Sequence, residues 1–310
     1  MTILVADVGG TNSRLGLASD GRLDPTSLRR FKNSDYGSFY DVVDAFRQGQ
    51  KYVEINACAV AMAGPVSAQR ARLTNLDWEI SSADLKHAIS CPRALLMNDL
   101  TALGYSLGHL PSEGVTTISE HAAGAPKNDQ FLVVGLGTGF NVCPVKKVGN
   151  GPAVCLEAEL GHVARPASVS IFLETRFALD ADQFATVEDC FSGRGLSNLH
   201  ALLTKSAPID PADIVANHAL GTDRHATQAL ELMADMLGAL AREMVLQYLP
   251  LNGLYFAGSV ARGLFDAGFG PNFLQGLAKH DQFEAQLQNV PVSVIKDDAA
   301  ALIGCVVASG

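Results

Sequence analysis

Charged residues are scarce in this sequence, and most of those present are negative. They make up 18% of the 310 residues, whereas ordinary soluble domains contain about 25%. Lysine and arginine number 23 and aspartate and glutamate 32, which gives a formal net charge of −9. Because a surplus of negative charge repels a phosphate backbone, the composition argues against a general nucleic-acid binder. Any phosphate ligand must therefore be bound by local groups, namely backbone N–H groups and a metal ion.

Paired cysteines and long apolar runs are missing as well. None of the six cysteines forms a CxxC pair or a cysteine–histidine cluster at zinc spacing, so no structural zinc is expected. No apolar run approaches the ~20 residues of a membrane span, and the opening MTILVADVGG has no signal-peptide pattern. We therefore expect a soluble, reduced, cytoplasmic protein, with a well-buried core because 48% of the residues are hydrophobic.

Short apolar runs separated by turns predict strands, and they alternate with helical patterns in an α/β arrangement. A strand, glycine turn and strand occur at residues 7–12 and again at 135–141. Each copy falls near the start of one half of the chain, which suggests two lobes around a shared nucleotide cleft. Residues 168–203 are predicted to be mostly helical with SGRG as an interruption, and apolar residues at 3.6 spacing predict a long helix from about 223 to 247.

The first glycine turn, DVGGTN, could bind phosphate. Glycine permits positive φ and close approach, so consecutive N–H groups can face an anion. Asp7 ends a strand inside this turn, where its carboxylate would repel phosphate unless a cation lay between them. Magnesium, which often binds one or two carboxylates plus substrate phosphates, would resolve this conflict. Thr11 and Asn12 could donate to phosphate and Arg14 could add positive charge, but an ordinary tight hairpin would have the same sequence features.

The second turn, GLGTGF, is another phosphate candidate. Its glycines at 135, 137 and 139 do not fit GxGxxG, and no GK[ST] follows as in a Walker A loop. Thr138 stands at the tip, where its hydroxyl could donate to a phosphate. One such loop is weak evidence, but two in one chain are stronger.

The segment NDLTA is the best catalytic candidate. An apolar strand delivers Asn98 and Asp99 to its carboxyl end, where open α/β folds bind ligands. A carboxylate beside an amide suits a general base that accepts a hydroxyl proton while the amide orients the substrate. The alternative is a helix N-cap, since Asn or Asp often precedes a helix.

Three further segments supply polar groups or close backbone approach. Glu159 and His162 in ELGH, together with Glu188 in VED, could accept and donate hydrogen bonds to a sugar, although Glu159 and His162 could also be half of a metal site. The segment FAGSVARG ends a strand and opens a helix at Gly258 and Ser259, where an adenine or ribose could lie against the backbone. Alone, it indicates only a close-packed turn.

Taken in order, these segments resemble those of bacterial glucokinases, the hexokinase-type family of the actin-like ATPase superfamily. LVADVGGTNSRLGLA and VVGLGTGFNV are similar to the two phosphate motifs, and LLMNDLTALGYSL to the catalytic segment. AMAGPV and LTNLDWEIS resemble sugar-lobe strands, ELGHV resembles EGGHV, VEDCFSGRGLSNLH resembles ERVLSGxGLxNLY, and YFAGSV resembles the adenosine motif. The resemblance covers about residues 3–303 with the motif order preserved.

The resemblance implies a two-lobed actin-like ATPase (ribonuclease H-like) α/β fold, with mixed central sheets flanked by helices and a cleft between the lobes. The small lobe would take residues 1–109 plus 297–310 and the large lobe residues 110–296. The implied activity is ATP-dependent phosphorylation of the glucose 6-hydroxyl, with Mg²⁺ carried on ATP and no zinc. A homodimer formed through the large lobe is also implied.

The resemblance also assigns roles to individual residues. Asp99 would be the base that takes the hydroxyl proton, and Asp7 would act near magnesium through water. The sugar would be bound by Asn98, Glu159, His162, Glu188, Gly64 and Asn75. The nucleotide and its phosphates would contact Asp7, Gly9, Gly10, Thr11, Asn12, Gly137, Thr138, Gly258 and Ser259.

Two departures from the family pattern leave alternatives open. Leu160 replaces a glycine of EGGH and could reshape the sugar pocket, and Ser259 replaces a second glycine near the adenosine. A kinase for fructose, mannose or an N-acetylated hexosamine, or one that uses ADP or polyphosphate, is an alternative, although Leu160 argues against the roomier pocket that an acetamido group would need. A non-catalytic sugar sensor on the same fold would need a DNA-binding segment, and the sequence opens directly in a predicted strand. A nicotinamide-dependent dehydrogenase is disfavoured by the glycine spacing.

Overall fold

The computed structural model describes residues 1–50, 53–67, 69–73, 76–120, 124–149, 151–177, 183–279 and 282–310. They form two compact units, which we call unit 1 (residues 1–112 and 297–310) and unit 2 (residues 113–296). Within the described ranges, no helix is both long enough and apolar enough to cross a membrane.

Strands and helices follow one another along both units. The strands are β1 Thr2–Val8, β2 Asn12–Ser19, β3 Arg22–Leu23, β4 Arg29–Lys32, β5 Ala57–Met62, β6 Val66–Ser67, β7 Arg70–Arg72, β8 Glu79–Ser81, β9 Arg93–Asn98, β10 Val115–Ser119, β11 Gln130–Leu136, β12 Phe140–Lys146, β13 Val154–Cys155, β14 Leu254–Ala257 and β15 Val292–Ile295. The helices are α1 Phe39–Gln48, α2 Ser82–Ile89, α3 Asp99–Ser106, α4 Ala167–Phe177, α5 Val187–Cys190, α6 Gly193–Thr204, α7 Pro211–Leu220, α8 Arg224–Tyr248, α9 Ser259–Asp266, α10 Gly270–Ala278, α11 Glu284–Gln288 and α12 Ala300–Ser309.

Unit 1 is built on a mixed sheet with the strand order β3-β2-β1-β5-β9, to which β4 adds by pairing with β2. Strands β1 and β2 form an antiparallel hairpin, whereas β1, β5 and β9 run parallel. Apolar side chains cover both faces of the sheet, with α1 and α2 on one side and α3 and α12 on the other. Helices α3 and α12 approach closely at Gly304, which has no side chain. A Cβ there would overlap the Ala102 carbonyl group.

Unit 2 is built on a second mixed sheet with the strand order β10-β15-β14-β11-β12-β13. Here β11 and β12 form the antiparallel hairpin, and β11, β14 and β15 run parallel. The 25-residue helix α8 carries much of the core, and Met233, Met236 and Met244 are all buried in it, as their 3.6 spacing predicts. Each unit therefore has an antiparallel hairpin followed by two parallel strands.

The predicted interruption of the helical stretch lies at residues 191–192, so it includes only the first residue of SGRG. Ser192 is the N-cap of α6, and its hydroxyl accepts a hydrogen bond from the N–H of Gly195 at 3.1 Å. The glycines are crowded at this helix start, since a Cβ at Gly195 would lie 2.7 Å from the Asp189 carbonyl oxygen. SGRG therefore begins a helix where the chain packs too tightly for larger side chains.

Candidate active site

The carboxyl edge of the unit 1 sheet brings the first predicted residues together. In the parallel register, Asp7 stands opposite Ala61, and Met62 stands opposite Asn98. Parallel strands end at the same edge, and ligands in open α/β sheets bind there. The DVGGTN turn after β1, the Gly64 turn after β5 and the NDLTA segment after β9 therefore share one edge.

Asp99 is the first residue of α3, and its side chain is half-buried. Its Oδ1 atom accepts a hydrogen bond from the N–H of Leu100 at 2.9 Å, which fixes the carboxyl group. Burial and then the negative charge of Asp7 raise the pKa of Asp99 to about 7, although the Leu100 N–H favours the charged form. A carboxyl group that titrates near neutrality can both hold and release a proton under physiological conditions.

Asn98 is an N-cap, so the alternative interpretation of NDLTA is right for this residue. Its Oδ1 accepts from the N–H of Leu100 at 2.9 Å, and its Nδ2 donates to the carbonyl oxygen of Gly64 at 3.0 Å. Gly64 has a φ of +132°, a backbone conformation that residues other than glycine rarely adopt. Asn98 thus ties the turn after β5 to the start of α3, beside Asp99. The predicted sugar ligand Asn75 lies outside the described residues.

The DVGGTN turn is held by a residue that the sequence analysis did not single out. This residue is Asn33, which is only 1% exposed. Its backbone N–H donates to the Thr11 carbonyl oxygen at 2.9 Å, and its Nδ2 donates to the Gly9 carbonyl oxygen at 2.7 Å. The turn is closed by a hydrogen bond from the Gly9 N–H to the Asn12 carbonyl at 3.0 Å. Neither Gly9 nor Gly10 has a left-handed backbone conformation, so the turn does not use the positive φ that glycine permits.

Asp7 lies beside Arg14, which also contacts a second acid. The Arg14 Nη1 atom is 3.6 Å from Asp7 Oδ2, and its Nη2 atom is 3.4 Å from Asp298 Oδ2. Burial raises the pKa of Asp7 to about 6 despite the positive charge of Arg14, and Asp298 adds to the rise. The Asp7 side chain is 20% exposed, so a hydrated cation can reach it. Carboxylate oxygens suit Mg²⁺, and the residues present therefore fit the predicted metal.

The second glycine turn, in unit 2, is defined by close packing. The Gly137 N–H donates to the Gly139 carbonyl at 3.0 Å, and the Gly193 N–H donates to the Gly137 carbonyl at 2.8 Å. Gly258 has a φ of +107°, and a Cβ there would overlap the Leu136 carbonyl oxygen. The turn, the β14–α9 junction and the start of α6 therefore meet at one place.

A cavity of about 740 Å³ opens beside this turn, entirely within unit 2. Three of the predicted nucleotide residues, Gly137, Thr138 and Ser259, line it. Apolar walls with polar groups at a few points are typical of sites for nucleosides and other small ligands. The remaining described lining residues, none of which was predicted to bind the nucleotide, are Gly193, Arg194, Leu196, Ser197, Ile209, Asp210, Pro211, Ala212, Val215, Val260 and Gly263.

Glu188 sits directly against the second glycine turn. Its Oε2 atom accepts a hydrogen bond from the Phe140 N–H at 3.1 Å. A Cβ at Gly139 would lie 2.6 Å from the same oxygen, and a Cβ at Gly161 would overlap the Phe140 carbonyl oxygen. Gly139 thus leaves the space that the Glu188 carboxylate occupies, and Gly161 lets the ELGH turn approach the Phe140 backbone.

Glu159 and His162 lie on a short 3-10 turn at residues 160–162, next to β12. Asn141 organises this turn, because its Nδ2 donates to Glu159 Oε2 at 3.0 Å and its Oδ1 accepts from the Leu160 N–H at 3.0 Å. His162 Nε2 is 4.0 Å from Glu159 Oε2, and both side chains are largely exposed. Leu160 packs against the apolar core of unit 2. In the described ranges, no three His, Cys, Asp or Glu side chains gather where a metal ion could be held.

A family model described as Glucokinase matches residues 4–309. The chain belongs to the glucokinase family. The glucokinase of Synechocystis sp. is 28% identical to it, over 99% of this chain and 97% of its own length. The glucokinase of Xanthomonas euvesicatoria is 30% identical, over 97% of this chain and 93% of its own length. A solved glucokinase from an Antarctic psychrotroph has a TM-score of 0.82 at 25% identity, covering 99% of this chain and 98% of that one.

Family membership confirms the predicted enzyme, a kinase that phosphorylates glucose with ATP. The structural similarity to a glucokinase confirms the predicted two-lobed actin-like ATPase fold. The roles assigned to single residues stay predictions.

Proposed function

We propose that glucose is activated at the carboxyl edge of the unit 1 sheet, with Asp99 as the general base. The observation that carries this proposal is the half-buried Asp99 carboxyl group at the end of β9, fixed by the Leu100 N–H at 2.9 Å. Burial and the charge of Asp7 raise its pKa to about 7. A base with a pKa near the working pH combines a useful deprotonated fraction with enough basicity to accept a proton.

The reaction is an in-line phosphoryl transfer. The oxygen of the glucose 6-hydroxyl attacks the γ-phosphorus of ATP, and the bond from that phosphorus to the bridging oxygen of ADP breaks. The hydroxyl proton passes to the Asp99 carboxylate. Because phosphoryl transfer is mainly a matter of positioning and charge neutralisation, the protein need only hold the hydroxyl, the phosphate and the base in line.

On the sugar side, we assign the carboxylates of Glu159 and Glu188 to sugar hydroxyls, with His162 as a further partner. Carboxylates accept two hydroxyl hydrogen bonds, and Glu188 is already fixed by the Phe140 N–H. Asn98 would position Asp99 and the Gly64 turn while facing the sugar, since its amide bonds both Leu100 and Gly64.

On the nucleotide side, the unit 2 cavity would take the adenosine between its apolar walls and Ser259. The Thr138 hydroxyl would donate to the phosphates, together with Gly137 and the Gly258 turn. In unit 1, the Gly9–Gly10 turn, Thr11 and Asn12 would face the phosphates, and Asp7 would hold the hydrated Mg²⁺ that ATP carries. When bound, Mg²⁺ neutralises charge on the phosphate oxygens.

The test is replacement of Asp99 by Ala and by Asn, with steady-state kinetics for glucose and ATP. We expect kcat to fall by at least ~10²-fold in both variants, with a much smaller change in KM for glucose, because a general base contributes about that much. Asp44→Asn, at an exposed position on α1, is the matched control and should keep full activity. Retention of full kcat by either Asp99 variant would remove this residue from the catalytic role.

The homodimer stays a prediction. One coupled assay across glucose, fructose, mannose and N-acetylated hexosamines, with ATP, ADP and polyphosphate as donors, measures how strongly the enzyme discriminates among them. We expect glucose and ATP to be preferred.

A further inference from the structure

Arg194 is the single cationic side chain among the described residues that line the unit 2 cavity. It shares that lining with Gly137 and Thr138 of the glycine turn and with Ser259 at the start of α9. In the motif ERVLSGxGLxNLY, which this segment resembles, the corresponding position is unspecified. Arg194 is therefore a feature of this chain that the resemblance does not explain.

The backbone around Arg194 is tied to the glycine turn. Arg194 is the second residue of α6, and the preceding residue, Gly193, donates its N–H to the Gly137 carbonyl at 2.8 Å. A Cβ at Gly193 would be 3.1 Å from Pro211 Cγ, so the start of α6 packs directly against the start of α7. The position of Arg194 relative to the turn that carries Thr138 is thereby fixed.

The guanidinium group lies close to two carboxylates. Its Nη2 atom is 2.9 Å from Asp189 Oδ1 and 3.8 Å from Glu188 Oε1. The bond to Asp189 uses one of the five N–H donors of an arginine, and the side chain is 60% exposed. Arg194 can therefore stay bound to Asp189 while other donors face a ligand in the cavity.

A cation in this cavity would offset the negative charges that surround a bound nucleotide. A nucleotide brings several negative phosphate oxygens, the chain carries a net charge of −9, and the cavity lining already includes the Asp210 carboxylate. Arginine is suited to phosphate because its planar fork makes two parallel charge-assisted hydrogen bonds. We propose that Arg194 binds the phosphates of the nucleotide, held in place by Asp189 and beside the sugar-binding candidate Glu188. This inference rests on the proposed function.

The test compares ligands that differ only in their phosphates. Binding of adenosine, AMP and ADP is measured by calorimetry for the wild type, Arg194→Gln, Arg194→Lys and the control Arg224→Gln. Arg224 is an exposed arginine at the start of α8, outside the cavity lining, so its replacement removes the same charge elsewhere in unit 2. Thermal melts and steady-state kinetics are recorded for each variant.

We expect Arg194→Gln to weaken ADP binding about 10-fold and to leave adenosine binding unchanged, because only the phosphate contacts are lost. KM for ATP should rise by a similar factor with KM for glucose nearly constant, and Arg194→Lys should recover part of the loss. Equal weakening of adenosine and ADP, unchanged ADP binding, or a rise confined to KM for glucose would each overturn the proposal. Failure of the wild type to bind ADP would instead contradict the proposed nucleotide site itself.

Discussion

The two glycine turns occupy equivalent places in the two units but are built differently. In unit 1 the hairpin β1–β2 is followed in the sheet by parallel β5 and β9, and in unit 2 the hairpin β11–β12 is followed by parallel β14 and β15. The penultimate residue of the first strand is Asp7 in unit 1, paired with Arg14. The corresponding residue in unit 2 is Gly135, paired with Asn141.

The two turns therefore differ in what restricts their sequences: electrostatic contacts at the first turn and close packing at the second. The first turn carries a carboxylate whose pKa burial raises to about 6, next to an arginine and a second acid. At the second turn a Cβ on Gly139 would meet Glu188 and a Cβ on Gly258 would overlap Leu136, so its sequence is restricted by close packing. The same hairpin can thus supply an electrostatic contact in one unit and a close backbone approach in the other.

The largest expected effect comes from removing the charge of the first turn. Asp7→Asn should lower kcat/KM for ATP by at least ~10²-fold, because loss of a preorganised charge at a developing charge has effects of that size. Thr138→Ala, which removes one donor from the second turn, should cost about 10-fold. Initial rates at varied ATP and Mg²⁺ measure both. If Thr138→Ala lowered kcat/KM for ATP more than Asp7→Asn did, the claim that the first turn acts mainly through its charge would be wrong.

Contacts close in sequence were predictable, and distant ones were not. The two hairpins, the NDLTA segment at a strand end and the long helix α8 follow from apolar runs and 3.6 spacing, and the structure has them. Asp298 contacts Arg14 across 284 positions of the chain, and Asn33 reaches Gly9 across 24. No periodicity or turn chemistry links such pairs, because the sheet order brings them together only after folding.

The unit 2 cavity, where we propose that the nucleotide binds, shows the same limit. Thr138 and Ser259 could be singled out from local glycine patterns, whereas Arg194 and Pro211 read as ordinary residues near helix starts. Pro211 reaches the cavity because α6 and α7 pack together, and the sequence between them, residues 205–210, gives no sign of a ligand. Among the predicted sugar-binding residues, Glu188 is fixed by a turn 48 positions away, a contact that only the fold reveals.

The next prediction tests the importance of close packing at the second turn by replacing one glycine in each turn with alanine. Gly139→Ala would place a Cβ 2.6 Å from Glu188 Oε2, whereas the Cβ of Gly9→Ala would lie 3.4 Å from the Asn12 carbonyl, an ordinary contact. We expect Gly139→Ala to displace Glu188 and raise KM for glucose about 10-fold, the loss expected for hydrogen bonds to a charged group. Gly9→Ala should change KM for glucose by less than about 2-fold, so equal effects would count against this interpretation.

The smallest effect concerns stability, and it tests the electrostatic character of unit 1. Burial and the charge of Asp7 raise the pKa of Asp99 from 3.8 to about 7. Between these values the unfolded chain has lost the Asp99 proton while the folded protein retains it. The free energy of unfolding therefore falls as pH rises from about 4 to about 7, and the full cost is present above pH 7.

Asp99→Asn removes this cost and keeps an oxygen that can accept from the Leu100 N–H, so this variant should be more stable than the wild type at pH 8. We expect its Tm to exceed that of the wild type by a few degrees at pH 8 and the gain to shrink towards pH 5, as measured by calorimetry. Asp44→Asn should show no such trend, because its side chain stays in water on folding. A Tm difference for Asp99→Asn that is the same at both pH values would mean that Asp99 does not carry a raised pKa.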